Sequence, residues 1–189
     1  MRLRIATPPE WVETILKDFD SFLIDHAACE RKASATGMNL VAHYPDKKEL
    51  VSAMIDFSLE ELDHFRQVYQ KMEERGLTFR PDEKDEYVKL LQHLIRRKND
   101  FYLLDRLLVA GVIEARGTER FALVAKTLNA GPLKDFYLEL ARAEARHHGL
   151  FVRLAKLYYD EETVNLRLDE LLEKEAEIVQ RLPFRAAVH

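Results

Sequence analysis

Apolar residues recur at intervals of three and four along most of the chain, a spacing that places them on one face of an α-helix. This period predicts six helices, over about 9–36, 47–75, 85–97, 101–128, 133–158 and 161–181. Thr7 and Asp46 are candidate caps of the first two helices, and Gly37 is predicted to end the first. No stretch alternates apolar and polar residues over the length of a strand, so the pattern predicts an all-α chain.

Four of the long predicted helices carry a glutamate on the apolar face, near the middle of the helix. These residues are Glu30, Glu61, Glu114 and Glu144. The neighbouring Glu60 falls on the polar face, so the period separates it from Glu61. A buried carboxylate without a partner costs several kcal/mol or becomes protonated. The four glutamates therefore predict bound cations.

Two of these glutamates are followed by a histidine one turn later. Glu61 and His64 form one Glu-x-x-His motif, and Glu144 and His147 form the other. Residues three apart on a helix point to the same side, so each pair offers a carboxylate and an imidazole to one metal ion. Each motif follows one of the other two glutamates by 30 or 31 residues. His148 is an alternative to His147, because both could lie on the side of Glu144.

Six side chains are therefore predicted to bind two divalent metal ions, whose four positive charges match the four carboxylates. They are Glu30, Glu61, His64, Glu114, Glu144 and His147. One Glu from each of two helices and one Glu-x-x-His from each of two others is the ligand set of ferritin-like bundles. We predict a ferritin-like four-helix bundle with a long crossover and additional helices, forming a single domain over residues 1–189. Mixed oxygen and nitrogen ligands favour iron or manganese.

Composition narrows the class of protein further. Of the 189 residues, 47% are hydrophobic and 33% charged, with 6 Gly and 6 Pro, as in a helix-rich globular protein. The net charge of −4 provides no general attraction to nucleic acid. Cys29 is the single cysteine, which excludes an internal disulfide and a cysteine-built zinc or iron–sulfur site. No apolar run suits a signal peptide or a membrane span, so we expect a cytoplasmic protein.

Four motifs give the chain a resemblance to the tRNA hydroxylase family typified by MiaE, within the ferritin-like superfamily. They are CERKA at 29–33, EELDHF at 60–65, IEARGTERF at 113–121 and EARH at 144–147. The resemblance covers essentially the whole chain. Gly117-Thr118 stands where the family leads us to expect Ser-Cys. This difference bears on the shape of the pocket and leaves the metal ligands unchanged.

This resemblance implies a non-haem di-iron monooxygenase. Such an enzyme hydroxylates the isopentenyl group of the modified adenosine beside the tRNA anticodon, usually the 2-methylthio form, using dioxygen and two electrons. By resemblance, the same six residues are the ligands of two iron ions. The chain has no Gly-x-Gly-x-x-Gly motif for a nicotinamide or flavin cofactor, so we expect an external donor of the ferredoxin and reductase type.

Contact with tRNA requires cationic side chains near the site. The candidates are Arg31, Lys32, Lys47, Lys48, Arg96, Arg97, Lys98, Arg116, Arg120, Arg142 and Arg146. Arg116/Arg120 and Arg142/Arg146 are pairs spaced one turn apart, close in sequence to the ligands. Ordinary ion pairing with neighbouring acidic residues is the alternative for any one of them.

Two further residues have alternative roles. Gly111 lies one turn before Glu114, where a missing side chain could admit a prenyl group or permit close helix packing. Tyr137 lies two turns before Glu144 and is more consistent with the core than with a cavity wall.

Other functions of ferritin-like proteins remain open from the residues alone. A rubrerythrin-type peroxidase is weakened by the absence of Cys-x-x-Cys motifs, and iron-storage proteins generally lack the two symmetric Glu-x-x-His motifs. A manganese catalase and a metal-free helical bundle are the remaining alternatives. We expect a monomer or a small homo-oligomer.

Overall fold

The computed structural model describes residues 1–97 and 100–189. These described residues form seven helices and no strand: α1 (Pro9–Lys17), α2 (Phe19–His43), α3 (Lys48–Glu74), α4 (Glu86–His93), α5 (Tyr102–Thr127), α6 (Pro132–Tyr158) and α7 (Glu161–Arg181). The all-α prediction is confirmed. Within the described ranges, no helix is both long and apolar enough to cross a membrane.

The first predicted helix is in fact two helices, α1 and α2. Asp18 separates them and caps α2, since its side chain accepts a hydrogen bond from the backbone N–H of Ser21 at 3.1 Å. The predicted cap Thr7 has another role: its N–H and its hydroxyl donate to the two carboxylate oxygens of Glu119, at 2.7 and 2.6 Å. A local capping signal was therefore overridden by a contact distant in sequence.

Gly37 does not end its helix as predicted, because α2 continues to His43. A Cβ atom on Gly37 would lie 2.9 Å from Cδ1 of Phe57, so the glycine allows α2 and α3 to approach closely. Nearby, the hydroxyls of Ser34 and Ser58 donate to each other's backbone carbonyls at 2.8 and 3.0 Å. The glycine thus serves packing rather than helix termination.

Residues 13–83 and 185–188 form one compact unit, whose centre is the hairpin of α2 and α3. Exposed ion pairs link parts of this unit, among them Arg75 with Asp20 at 2.6 Å. The backbone N–H of Val188 donates to Asp25 at 2.7 Å, so the segment 185–188 is attached to α2.

Residues 1–12, 84–184 and 189 form a second compact unit. Its α5 and α6 pack as a hairpin, joined by a link in which Gly131 has φ +151°, and α4 and α7 pack against that hairpin. The predicted break at 129–132 is confirmed. That the two units constitute one domain over 1–189 stays a prediction.

A buried carboxylate ties the segment after α4 to α5 and α7. Asp105 is fully buried and accepts hydrogen bonds from Arg96 and Arg167, at 2.7–3.0 Å. Burial alone would raise the pKa of the Asp105 carboxyl, but these two guanidinium groups outweigh it and lower the pKa. The crossover segment is therefore anchored by a charged network rather than by apolar packing alone.

Candidate metal centre

The α2–α3 hairpin carries three of the six predicted ligands. Glu30, Glu61 and His64 are 4%, 1% and 8% exposed, whereas Glu60 is exposed to solvent. His64 Nδ1 lies 3.7 Å from Glu61 Oε2 and 3.9 Å from Glu30 Oε2. One ligand atom from each of the three lies within 4.8 Å of the others. The hairpin thus gathers two carboxylates and one imidazole in a buried cluster.

The α5–α6 hairpin carries the other three predicted ligands in the same arrangement. Glu144 and His147 are each 2% exposed, and His147 Nδ1 lies 2.9 Å from Glu144 Oε2. Glu114 is half-buried, and its carboxylate lies within the same 4.8 Å limit of Glu144 and His147. The alternative ligand His148 is also half-buried, and burial lowers the pKa of its imidazole. The structure therefore brings His147 together with Glu144 and Glu114.

Each hairpin supplies a glutamate from one helix and a Glu-x-x-His pair from the other. Two ligand atoms bound to one divalent ion at about 2.0–2.2 Å lie within roughly 4.4 Å of each other, so each cluster is close to the spacing that a metal requires. The oxygen and nitrogen donors suit iron or manganese. The donors of each cluster therefore fit a bound metal ion.

His26 is a functional candidate that the sequence reading did not single out. Its side chain is fully buried on α2, and its Nε2 lies 2.6 Å from Glu30 Oε1. The signal was present, since His26 lies one turn before Glu30 on the same apolar face. A lone histidine on such a face is indistinguishable from a core residue until its partner is known.

Arg116, proposed from sequence as a contact for tRNA, is wholly buried, so that assignment is wrong. Its guanidinium donates to both carboxylate oxygens of Glu175, at 2.8 and 3.0 Å, and to Glu119 at 2.6 Å. Tyr87 also donates to Glu175, at 3.0 Å. Burial alone would lower the pKa of Arg116, but Glu175 outweighs it and raises the pKa. Arg116 is a structural residue of the second unit.

Arg120 is also unavailable to nucleic acid, because it is only 5% exposed. Its guanidinium lies 4.9 Å from the ring centroid of Trp11, in cation–π geometry. Burial lowers its pKa to about 10. The pair Arg116/Arg120 thus belongs to the interior.

Two other candidates are engaged elsewhere. Arg31 donates twice to Asp82, at 2.6 and 2.7 Å, and Arg96 belongs to the Asp105 network. Lys98 lies outside the described residues. In contrast, Arg142 and Arg146 are exposed on α6, the helix that carries Glu144 and His147.

Gly111 serves helix packing rather than a cavity. A Cβ atom there would lie 3.2 Å from Phe151 Cβ, 3.3 Å from Met1 Cε and 3.5 Å from the carbonyl oxygen of His148. Tyr137 is a core residue, as expected: it is fully buried, and the ring of Phe136 meets it edge-on at a centroid distance of 5.1 Å.

Comparison with known proteins identifies relatives that match almost the whole chain. Residues 1–189 match the family model described as tRNA-(MS[2]IO[6]A)-hydroxylase (MiaE). Two curated relatives are each named tRNA 2-(methylsulfanyl)-N(6)-isopentenyladenosine(37) hydroxylase. The one from Pseudomonas putida is 37% identical over 178 residues, covering 94% of this chain and 86% of that protein. The one from Salmonella typhimurium is 26% identical, covering 94% of this chain and 83% of that protein.

A solved structure matches the fold. It is Protein 43 with aldehyde deformylating oxygenase activity from Synechococcus, which is 34% identical and aligns with a TM-score of 0.94. The alignment covers 100% of this chain and 96% of that one. The predicted fold class, a ferritin-like bundle with additional helices, is thereby confirmed.

The family match extends over the whole chain, well beyond the four motifs that first indicated it. It favours a hydroxylase over the peroxidase, catalase and storage alternatives, and it confirms the prediction that the protein is an enzyme of tRNA modification. This chain belongs to the MiaE family of tRNA hydroxylases.

Proposed function

We propose that this protein hydroxylates the isopentenyl group of the modified adenosine beside the tRNA anticodon, using two iron ions held by the six candidate ligands. The observation that carries the proposal is the matched pair of clusters, each with one Glu and one Glu-x-x-His motif in a buried environment. The names of the curated relatives supply the substrate class.

The charge of the ligands supports two divalent ions. The ligands provide four carboxylates, which need about four positive charges when they are buried and ionised. The ligands are Glu30, Glu61, Glu114 and Glu144, with His64 and His147 as neutral donors. A pair of iron ions bound there would supply the reduction of dioxygen and the insertion of one oxygen atom into a C–H bond.

The overall reaction has a simple balance. The substrate C–H group, dioxygen, two electrons and two protons give the alcohol and one water molecule.

The chain's contribution is to hold the ligands and to exclude bulk water from them. Leu104, Leu107 and Phe151, on the hairpin of α5 and α6, are fully buried. Because Cys29 is the single cysteine, we propose that the electrons come from a separate ferredoxin-like donor and its reductase.

Hydroxylation can be measured directly with purified components. Iron-loaded protein, isopentenyl-modified tRNA, dioxygen and a ferredoxin with its reductase should yield a nucleoside that carries one additional oxygen atom. Labelled dioxygen should supply that atom, and NADH without the donor proteins should give no product. Unchanged tRNA in the complete mixture, from a protein that retains its iron, would refute the substrate assignment.

The exposed face of α6 is the surface that we propose for the tRNA backbone. Arg142, Arg146 and Arg153 are all exposed. At 3.6 residues per turn, their positions around the axis of α6 lie within about 40° of one another. A Cβ atom on Gly149 would lie 3.3 Å from Arg153 Nη1, so that guanidinium lies along the helix over the glycine. A row of exposed cations on the helix that carries Glu144 suits phosphate groups.

Removing two of these cations should weaken tRNA binding without disturbing the metal. For the double variant Arg142→Ala/Arg146→Ala we expect the affinity for tRNA to fall by on the order of tenfold. The plot of the logarithm of the binding constant against the logarithm of salt concentration should be shallower by about 1.8, because two phosphate contacts are lost. Filter binding at several salt concentrations would measure both. Arg181→Ala, an exposed cation at the end of α7, is the matched control and should bind normally. An unaltered salt slope in the double variant would place the tRNA elsewhere.

A further inference from the structure

We propose that His26 is a positioning residue that orients Glu30 and thereby sets the affinity of one of the two metal ions. The inference rests on the proposed metal function of Glu30 and concerns only the unit that contains α2 and α3. His26 is fully buried, and its Nε2 lies 2.6 Å from Oε1 of Glu30.

The two oxygens of Glu30 have different surroundings. Oε1 lies 2.6 Å from His26 Nε2, whereas Oε2 lies 3.9 Å from Nδ1 of the candidate ligand His64. An ionised carboxylate only accepts hydrogen bonds, so Nε2 of His26 must carry the proton and donate it. The hydrogen bond leaves Oε2 as the oxygen directed toward the ligand cluster.

His26 is not itself one of the clustered ligands. The cluster of ligand atoms that contains Glu30, Glu61 and His64 does not include His26. Its Nε2 instead meets the oxygen of Glu30 that faces away from His64. A hydrogen bond from outside the metal site restrains the rotamer of a ligating carboxylate, and loss of such a partner commonly weakens metal binding by about 10–100-fold.

The second hairpin has no histidine at the equivalent position. The residue one turn before Glu114 is Ala110, which has no donor side chain. α5 therefore has no side-chain donor at the position that His26 occupies on α2. Because His26 contacts Glu30, which belongs to the cluster with Glu61 and His64, loss of its donor should affect the metal ion bound there more than the other.

Titration of metal-free protein with Co(II), followed by calorimetry and by the visible absorption of the bound ion, tests this role. His26→Gln keeps a donor near the position of Nε2, whereas His26→Asn has its donor too close to the backbone to reach Glu30. We expect wild type and His26→Gln to bind two ions with affinities within about threefold of each other. His26→Asn and His26→Leu should bind one ion about 10–100-fold more weakly, with a changed absorption spectrum.

Phe22→Leu is the matched control for lost packing. Phe22 is fully buried one turn before His26, and the two ring centroids are 5.9 Å apart. This variant should lower the melting temperature but leave both metal affinities and the spectrum unchanged. Equal affinities in His26→Asn and His26→Gln, or an equal loss in Phe22→Leu, would overturn the role of His26. Failure of wild type to bind two ions would instead refute the proposed di-metal function.

Discussion

Replacing Arg116 with methionine is expected to lower the free energy of unfolding by about 3–5 kcal/mol, among the largest effects of any single substitution in this chain. The side chain is wholly buried and donates to Glu175 and Glu119. Methionine fills much of the same volume but leaves the fully buried Glu175 carboxylate without its cation. Urea unfolding followed by circular dichroism would give the difference.

A second substitution separates charge from packing in this network. In the Arg116→Met background, Glu175→Gln removes the uncompensated charge and keeps an acceptor for the Tyr87 hydroxyl, so it should restore part of the lost stability. Glu175→Gln alone should be destabilising. If Arg116→Met proves as stable as wild type and instead binds tRNA more weakly, Arg116 is not the structural residue described above.

Replacing Glu61 with alanine should reduce hydroxylation by at least about a thousandfold, the consequence of losing several kcal/mol of metal-dependent catalysis. Glu61 is 1% exposed in the first cluster. Glu60→Ala is an unusually close control, because Glu60 is adjacent in sequence and exposed. Product formation and iron content, measured on both variants, should fall together in Glu61→Ala and remain at wild-type values in Glu60→Ala.

Loss of the Glu61 carboxylate should not destabilise the metal-free protein, although it should abolish most of the activity. Without metal, Glu61 lies near Glu30 and His64 in a buried cluster, so removing its carboxylate relieves repulsion and desolvation. We expect the melting temperature of metal-free Glu61→Ala to equal or exceed that of metal-free wild type. Iron should stabilise wild type by about 2.7 kcal/mol at a hundredfold excess over Kd, but should stabilise the variant much less. A strongly destabilised metal-free variant would indicate a structural role.

The parts of the fold that depend on local periodicity could be predicted from the sequence. The helical period predicted that Glu61 is buried and that Glu60 is exposed, and both predictions are confirmed. The bounds of α7 and the break at Gly131 also follow from local signals. These features depend on residues a few positions apart, which is the range over which a sequence pattern carries information.

Features that depend on distant partners could not be predicted. Arg116 is buried because Glu175 lies 59 residues further along the chain and supplies its counter-charge. Gly37 is a helix-breaking residue by propensity, but its packing against Phe57 keeps it inside α2. In both cases a tertiary contact outweighed a local preference. The contact of His26 with Glu30 is local, since the two residues lie one turn apart on α2, but a lone histidine on an apolar face does not reveal its role until that contact is seen.

The most direct test of the central claim is whether this protein binds two iron ions through the six proposed ligands. Metal-free protein would be titrated with ferrous iron in the absence of oxygen, and the bound iron would be counted in wild type and in two variants that each lose one ligand, Glu61→Ala and Glu144→Ala. We expect about two ions per chain in wild type and fewer in each variant. One ion per chain in wild type, or two ions per chain in both variants, would contradict the account.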